Sequence, residues 1–289
     1  MKFSSRAERI DPFYVMEVAK AAQAMAREVA GTSEPMIFLN IGEPDFTAPP
    51  LVQEAAAKAV RDGATQYTNA LGLDALRERI SGWYQSRFGV DVPARRIVVT
   101  AGASAALHLA CLALIERGDE ILMPDPSYPC NRHFVSAAEG RAVLVPTTAA
   151  ERYQLSSDKV QAAWTDKTRG VLLASPSNPT GTSIAPAELR RIHEVVQSRG
   201  GVTMIDEIYL GLSYEEEFGH TALAIDEHII SINSFSKYFN MTGWRLGWMV
   251  VPEAMVPVVE RLAQNLFICA STVSQHAALA CFEAESIAE

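Results

Sequence analysis

The stretch Ser234-Phe-Ser-Lys237-Tyr-Phe-Asn-Met-Thr-Gly243-Trp-Arg245-Leu-Gly247 gathers a set of reactive side chains in a 289-residue chain. Lys237 follows the hydroxyls of Ser234 and Ser236, and eight residues on Arg245 lies between Gly243 and Gly247. A primary amine condenses with an aldehyde, while hydroxyls and a guanidinium hold a phosphate. Together they suit a phosphorylated aldehyde. A single lysine or arginine near an apolar strand is commonplace, so the motif takes its meaning from its company.

That company lies upstream. Asp206 ends the apolar run Val202-Thr-Met-Ile-Asp206, with Glu207-Ile-Tyr209 after it. If the aldehyde is pyridoxal 5'-phosphate (PLP), a carboxylate there keeps the pyridine nitrogen protonated and makes the ring an electron sink. Taken alone, an aspartate at a strand end is more often a helix N-cap. Asn178, in Ser-Asn-Pro-Thr-Gly, and Tyr209 can each donate a hydrogen bond to a phenolic oxygen beside the reacting carbon. The Asn178 loop also reads as a turn, and both roles are compatible. Gly102-Ala103-Ser104 joins a strand to a helix start, where backbone N–H groups bind phosphate and glycine permits close approach. Tyr128, after Pro124-Asp-Pro126, could stack on a pyridine face, although a lone loop tyrosine usually just packs.

The elements that must position these residues follow from periodicity. Helical spacing of Phe13, Val15, Met16, Val18, Ala19, Ala22 and Met25 predicts a helix over 12–30. Residues 37–41 are short and apolar, leading to the turn-rich Gly42-Glu-Pro-Asp-Phe46. Helices are expected over 50–61 and 73–88, separated by a loop carrying Tyr67. From residue 96 strands (97–100, 120–123, 142–145, 170–174, 202–206, 229–233, 245–250) alternate with helices (103–115, 132–138, 186–198). Helices over 253–266 and 271–285 close the chain. Such alternation indicates an α/β fold with a doubly wound, mostly parallel sheet. Ligands bind such sheets beyond the strand carboxyl ends, where Gly102, Tyr128, Asn178, Asp206 and Lys237 are expected to fall, while Arg245 is expected to begin its strand.

Apolar residues make up 48% and charged residues 20% of the chain, which is ordinary for a globular protein. A formal charge of -9 argues against nucleic acid or an anionic membrane surface as partner. Cys111, Cys130, Cys269 and Cys281 are far apart with no Cys-x-x-Cys pairing, and Cys111 reads as a packed thiol. No metal site is expected. With no basic-plus-apolar leader and no run of membrane-spanning length, the expected location is cytoplasmic.

With Lys237, Asp206, Asn178 and Arg245 in place, the chain resembles the fold type I PLP-dependent aminotransferases of class I/II, the aspartate aminotransferase-like group. The resemblance covers essentially the whole chain, and Gly-Glu-Pro-Asp-Phe and Asp-Glu-x-Tyr add to it. It implies a seven-stranded mixed sheet whose Arg245 strand is antiparallel, and a homodimer with shared active sites. It implies Lys237 as the imine-forming lysine, Asp206 as the ring-nitrogen partner, Asn178 and Tyr209 on the phenolic oxygen and Tyr128 on the ring. Ser234, Ser236, Arg245 and the backbone of Gly102, Ala103 and Ser104 would hold the phosphate. Tyr67 would reach the phosphate of a neighbouring subunit, and Gly42 and Asn178 would contact substrate.

The same resemblance divides the chain into an N-terminal segment (1–45) contributing to a small domain, a large PLP-binding domain (46–270), and the start of a C-terminal small domain (271–289). Family members continue for roughly a hundred residues more and carry there an arginine for the substrate carboxylate, so a truncated small domain is expected. The implied reaction moves an amino group from an amino acid to a 2-oxo acid by a ping-pong mechanism. A C–S β-lyase or related lyase on the same scaffold is the nearest alternative, because pocket side chains decide which bond breaks. A non-catalytic PLP-sensing module is a further one, disfavoured by the acidic charge and the start of the fold by Pro12. Acidic-substrate members often place a lysine where Ser104 stands, which leaves aromatic or aliphatic amino acids open.

Overall fold

Short apolar segments rich in valine, isoleucine and leucine pair into one sheet because helices cover both of its faces. The computed structural model describes residues 1–289, the side chain of Glu217 aside. Its strands are β1 (Ile97–Thr100), β2 (Glu120–Asp125), β3 (Arg141–Pro146), β4 (Thr168–Ala174), β5 (Val202–Asp206), β6 (Ile230–Ser234) and β7 (Gly247–Val250). They lie in the order β1-β7-β6-β5-β4-β2-β3. The run from β3 to β6 is parallel, while β7 is antiparallel to both neighbours, β6 and β1. This is the seven-stranded mixed sheet, with an antiparallel β7, that the resemblance implies.

The helices are α1 (Ser5–Glu8), α2 (Tyr14–Glu28), α3 (Pro50–Arg61), α4 (Asp74–Phe88), α5 (Ala103–Leu114), α6 (Asn131–Ala137), α7 (Ser157–Ala163), α8 (Pro186–Ser198), α9 (Val256–Leu266), α10 (Thr272–Leu279) and α11 (Ala284–Ala288). The apolar α5 packs with α6 and α9 over one face of β6 and β7, burying Leu109, Cys111, Met204 and Ile232. Behind the sheet α7 and α8 cover Leu122, Leu173 and Ile205. A third cluster joins Trp83 and Tyr84 of α4 to Phe235 and Trp248. Residues 271–289, expected to open a small domain, pack here on α3 and α4 and bury Ala277, Ala278 and Cys281.

Two boundaries differ from expectation in ways that bear on chemistry. The strand expected from Arg245 starts at Gly247, because Arg245 has a left-handed backbone (φ 52°) that no β-strand accepts. The expected strand over 120–123 continues through Pro124 to Asp125. Residues 37–41 form no strand and leave Ile37, Leu39 and Ile41 exposed. No described helix is long and apolar enough to cross a membrane.

Candidate active site

Strands β5 and β6 pair in parallel, Asp206 opposite Ile232, so their carboxyl ends open on the same edge of the sheet. There β5 ends in Asp206, while β6 ends at Ser234 and turns into the segment bearing Ser236 and Lys237. A cavity of about 750 Å³ opens above this edge and brings Lys237, Asp206, Tyr209, Asn178 and Tyr128 together. Gly42, Ala103, Ser104, Ser234, Ser236 and Arg245 line the same cavity. Local backbone order thus became one surface through the parallel register.

Lys237 Nζ donates a hydrogen bond to the carbonyl of Gly42 and lies 5.9 Å from the centre of the Tyr209 ring. Its pKa is lowered, chiefly by desolvation and further by the charge of Arg245, against an opposing pull from Glu43. Asp206 is 7% exposed, and its Oδ1 accepts from the Ile208 amide at 3.0 Å. Burial pushes its carboxyl up to about 6. Asn178 Nδ2 donates to Tyr209 Oη at 3.4 Å, and burial raises the Tyr209 hydroxyl's pKa. Tyr128 meets Phe13 edge to face, with ring centroids 5.9 Å apart.

At the other end of the cavity the chain forms a bare cradle. Gly102 caps α5 with φ 82°, and a Cβ there would stand 2.8 Å from Arg245 Nη2. A Cβ on Gly247 would stand 2.8 Å from the Ala103 nitrogen, the Asn233 carbonyl oxygen and the Gly102 carbonyl carbon. Only glycine lets β7, β6 and the α5 N-terminus approach this closely. Ser234 Oγ donates to Ser236 Oγ at 2.9 Å, and Arg245 Nη1 donates to the Thr242 carbonyl at 2.8 Å. Arg245, whose backbone is left-handed, has its guanidinium beside Gly102.

Tyr67 stands apart from this cavity and is 79% exposed. Its loop is nonetheless held in place. Thr272 donates to the Gln66 carbonyl at 2.6 Å, and the fully buried Gln275 bonds Thr68 Oγ1 at 3.1 Å and the Leu73 amide at 2.8 Å.

Other cavity residues were given no role at the site by the sequence. Phe13, Asn40, Ile41 and Glu43 come from the N-terminal 45 residues, brought to the lysine by tertiary contacts. Glu43 lies within Gly42-Glu-Pro-Asp-Phe46 and accepts from Thr242 Oγ1 at 2.6 Å. Asn40 Nδ2 is buried with no partner among the described residues. Glu207, beside Asp206, belongs to the Asp-Glu-x-Tyr motif, which gave it no role, and the structure buries it.

A lysine, a buried carboxylate and an arginine–glycine cradle on a 3-2-4-5-6 parallel sheet with antiparallel β7 match a known family over most of the chain. The family model "Aminotransferase class I and II" matches residues 34–289. The chain belongs to that family. It is 35% identical over 286 residues to the (5-formylfuran-3-yl)methyl phosphate transaminase of Methanocaldococcus jannaschii, which spans 98% of this chain and 73% of that protein. An aminotransferase structure from Mycobacterium tuberculosis superposes with a TM-score of 0.94 at 38% identity, covering 100% of this chain and 73% of the other. The aspartate aminotransferase from Thermus thermophilus with maleate superposes at 0.93 and 28% identity, covering 100% and 75%. The aminotransferase is thus an aspartate aminotransferase-like transaminase of a PLP-dependent family.

The cavity fits that cofactor on its own chemistry. Asp206 is a desolvated carboxylate with a single amide donor and no cationic partner among the described residues, which suits a protonated ring nitrogen. Ala103 and Ser104 at the α5 N-terminus line the cavity with Ser234, Ser236 and Arg245, and a Cβ at Gly102 would crowd the guanidinium, which suits a phosphate.

Proposed function

We propose that this aminotransferase moves an amino group from an amino acid to a 2-oxo acid by a ping-pong mechanism. The observation that carries it is the shared cavity, in which an amine, a buried carboxylate and a phosphate cradle stand at the ends of adjacent strands. When bound, PLP supplies an aldehyde to take up the amino group and a ring that withdraws electrons from the breaking bond.

The chain's residues would divide the work. Arg245, Ser234, Ser236 and the backbone of Gly102, Ala103 and Ser104 hold the phosphate. Asp206 holds the ring nitrogen in its protonated form, and Tyr128 covers the ring. Asn178 Nδ2 and the Tyr209 hydroxyl donate to the phenolic oxygen. Lys237 Nζ takes and returns the proton at the substrate Cα, a task that needs the neutral amine its desolvation favours. The Gly42 backbone and Asn178 orient the substrate carboxylate.

A homodimer belongs to the same proposal. Tyr67 is presented outward on a loop that Gln275 and Thr272 lock, which supports a reach toward a neighbour's phosphate. The same proposal assigns residues 1–45 and 271–289 to a small domain beside a large domain of 46–270. Four free cysteines support a reducing, cytoplasmic setting.

The test is single-turnover absorbance against a panel of amino acids, run beside Lys237→Ala. Amino acids should bleach the wild-type visible band and yield the matching oxo acid. Lys237→Ala should give no borohydride-fixed cofactor and lose at least about a thousandfold in rate. A reducible bond retained in the variant would assign the chemistry to another lysine.

A further inference from the structure

Asp206 and Glu207 are consecutive carboxylates at the end of β5, and successive side chains point to opposite faces. Asp206 faces the cavity with Lys237. Glu207 points the other way, 1% exposed, at the wall of a second cavity of about 470 Å³ behind the sheet. It has no salt-bridge partner among the described residues. Its compensation is three donors: Ser231 Oγ at 2.6 Å and Thr221 Oγ1 at 2.9 Å on Oε2, and the Ala222 amide at 2.7 Å on Oε1. Its own amide donates to the Ile232 carbonyl at 2.8 Å, extending the β5–β6 ladder one bond past the strand.

We propose that Glu207 is a positioning residue: its buried carboxylate clamps the end of β5 to β6 and to the Thr221–Ala222 turn, and so fixes Asp206 relative to Lys237. The inference rests on the reading of Asp206 as partner of the cofactor's ring nitrogen. Ser231 lies three residues before Ser234 and six before Lys237, on the strand that delivers both. The Glu207 carboxylate at Ser231 and the Glu207 amide at the Ile232 carbonyl thus grip two successive residues of the strand that carries the lysine. A buried, unpaired charge is a poor way to stabilise a core, since apolar residues of similar size commonly do as well or better. Three directed hydrogen bonds to two separate segments do what apolar packing cannot: they set a distance and an angle. A shift of even a fraction of an ångström at Asp206 would lengthen its bond to a ring nitrogen while leaving the fold intact.

The experiment uses cofactor-loaded protein and reads the pH midpoint of its visible absorbance, with melting of the cofactor-free protein as a separate measure of folding. Glu43, Tyr209 and Arg245 face Lys237, Tyr128 and Tyr209 face Asp206, and the substitutions leave all of them intact. Asp206→Asn removes the ring-nitrogen partner and should move the midpoint upward by more than about one pH unit. Glu207→Leu, which fills the same volume without the clamp, should move it the same way by about one unit. Glu207→Gln keeps an acceptor for the hydroxyls and should move it by less than about 0.3. Should Glu207→Leu fail to fold, Ser231→Ala removes one strap while keeping the carboxylate, and a smaller shift in the same direction is expected.

If Asp206→Asn moves the midpoint while Glu207→Leu and Ser231→Ala do not, Glu207 is packing alone and the inference is overturned. If Asp206→Asn itself leaves the midpoint unmoved, the proposed role of Asp206 fails, and the positioning role fails with it.

Discussion

In the cofactor-free protein, Asp206 is a carboxylate held in a place that suits it badly. Its one donor is the Ile208 amide, and burial pushes its pKa from an ordinary 3.8 up to about 6. A difference of this size between unfolded and folded chains corresponds to about 3 kcal/mol, on the order of a quarter of a typical domain's stability. The sign follows from proton binding. Between the two values the folded chain holds its proton more tightly, so stability is fullest below about pH 4 and is lost as pH rises through about 6.

Asp206→Asn keeps an oxygen for the Ile208 amide and removes the charge. The cofactor-free variant should therefore be more stable than wild type by about 3 kcal/mol near pH 8, with the gap closing below about pH 4. Urea unfolding across that range, followed by the fluorescence of the four tryptophans, measures it. With cofactor added the order should narrow or reverse, because only the wild-type carboxylate gains a cationic partner. Parallel stability curves for the two proteins without cofactor would refute the burial argument. A variant that binds cofactor as tightly as wild type would refute the pairing.

Gly247→Ala sets a methyl 2.8 Å from three backbone atoms, none of which can swing aside, and should cost about 1–3 kcal/mol. A melting point lower by about 2–6 °C and a cofactor affinity weaker by about tenfold are expected, by calorimetry and absorbance titration; an unchanged melting point would mean β7 and α5 can part freely. Cys111 and Cys281 are buried, and burial pushes the Cys111 thiol up to about 12. A thiol reagent should therefore label Cys130 and Cys269 in the native protein and reach the other two only on unfolding, as peptide mapping can check.

The sequence by itself determined the strands to within two residues and named most of the side chains that meet in the cavity. Alternating apolar runs and helical spacing are short-range signals, so β1, β5 and α8 lie where they were expected to the residue. The lysine, carboxylate, amide and arginine could be named because their types alone restrict the chemistry. Tertiary structure decided what they face. Arg245 belongs to no strand: its backbone is left-handed, and its guanidinium lies so close to Gly102 that a Cβ there would collide with it. The Gly42 carbonyl meets Lys237 across 195 residues, a pairing no local pattern encodes. Asp206 and Glu207 look alike in sequence, yet strand alternation sends one into the cavity and the other behind the sheet. Which face was which depended on register with β6, and register is a property of the packed sheet.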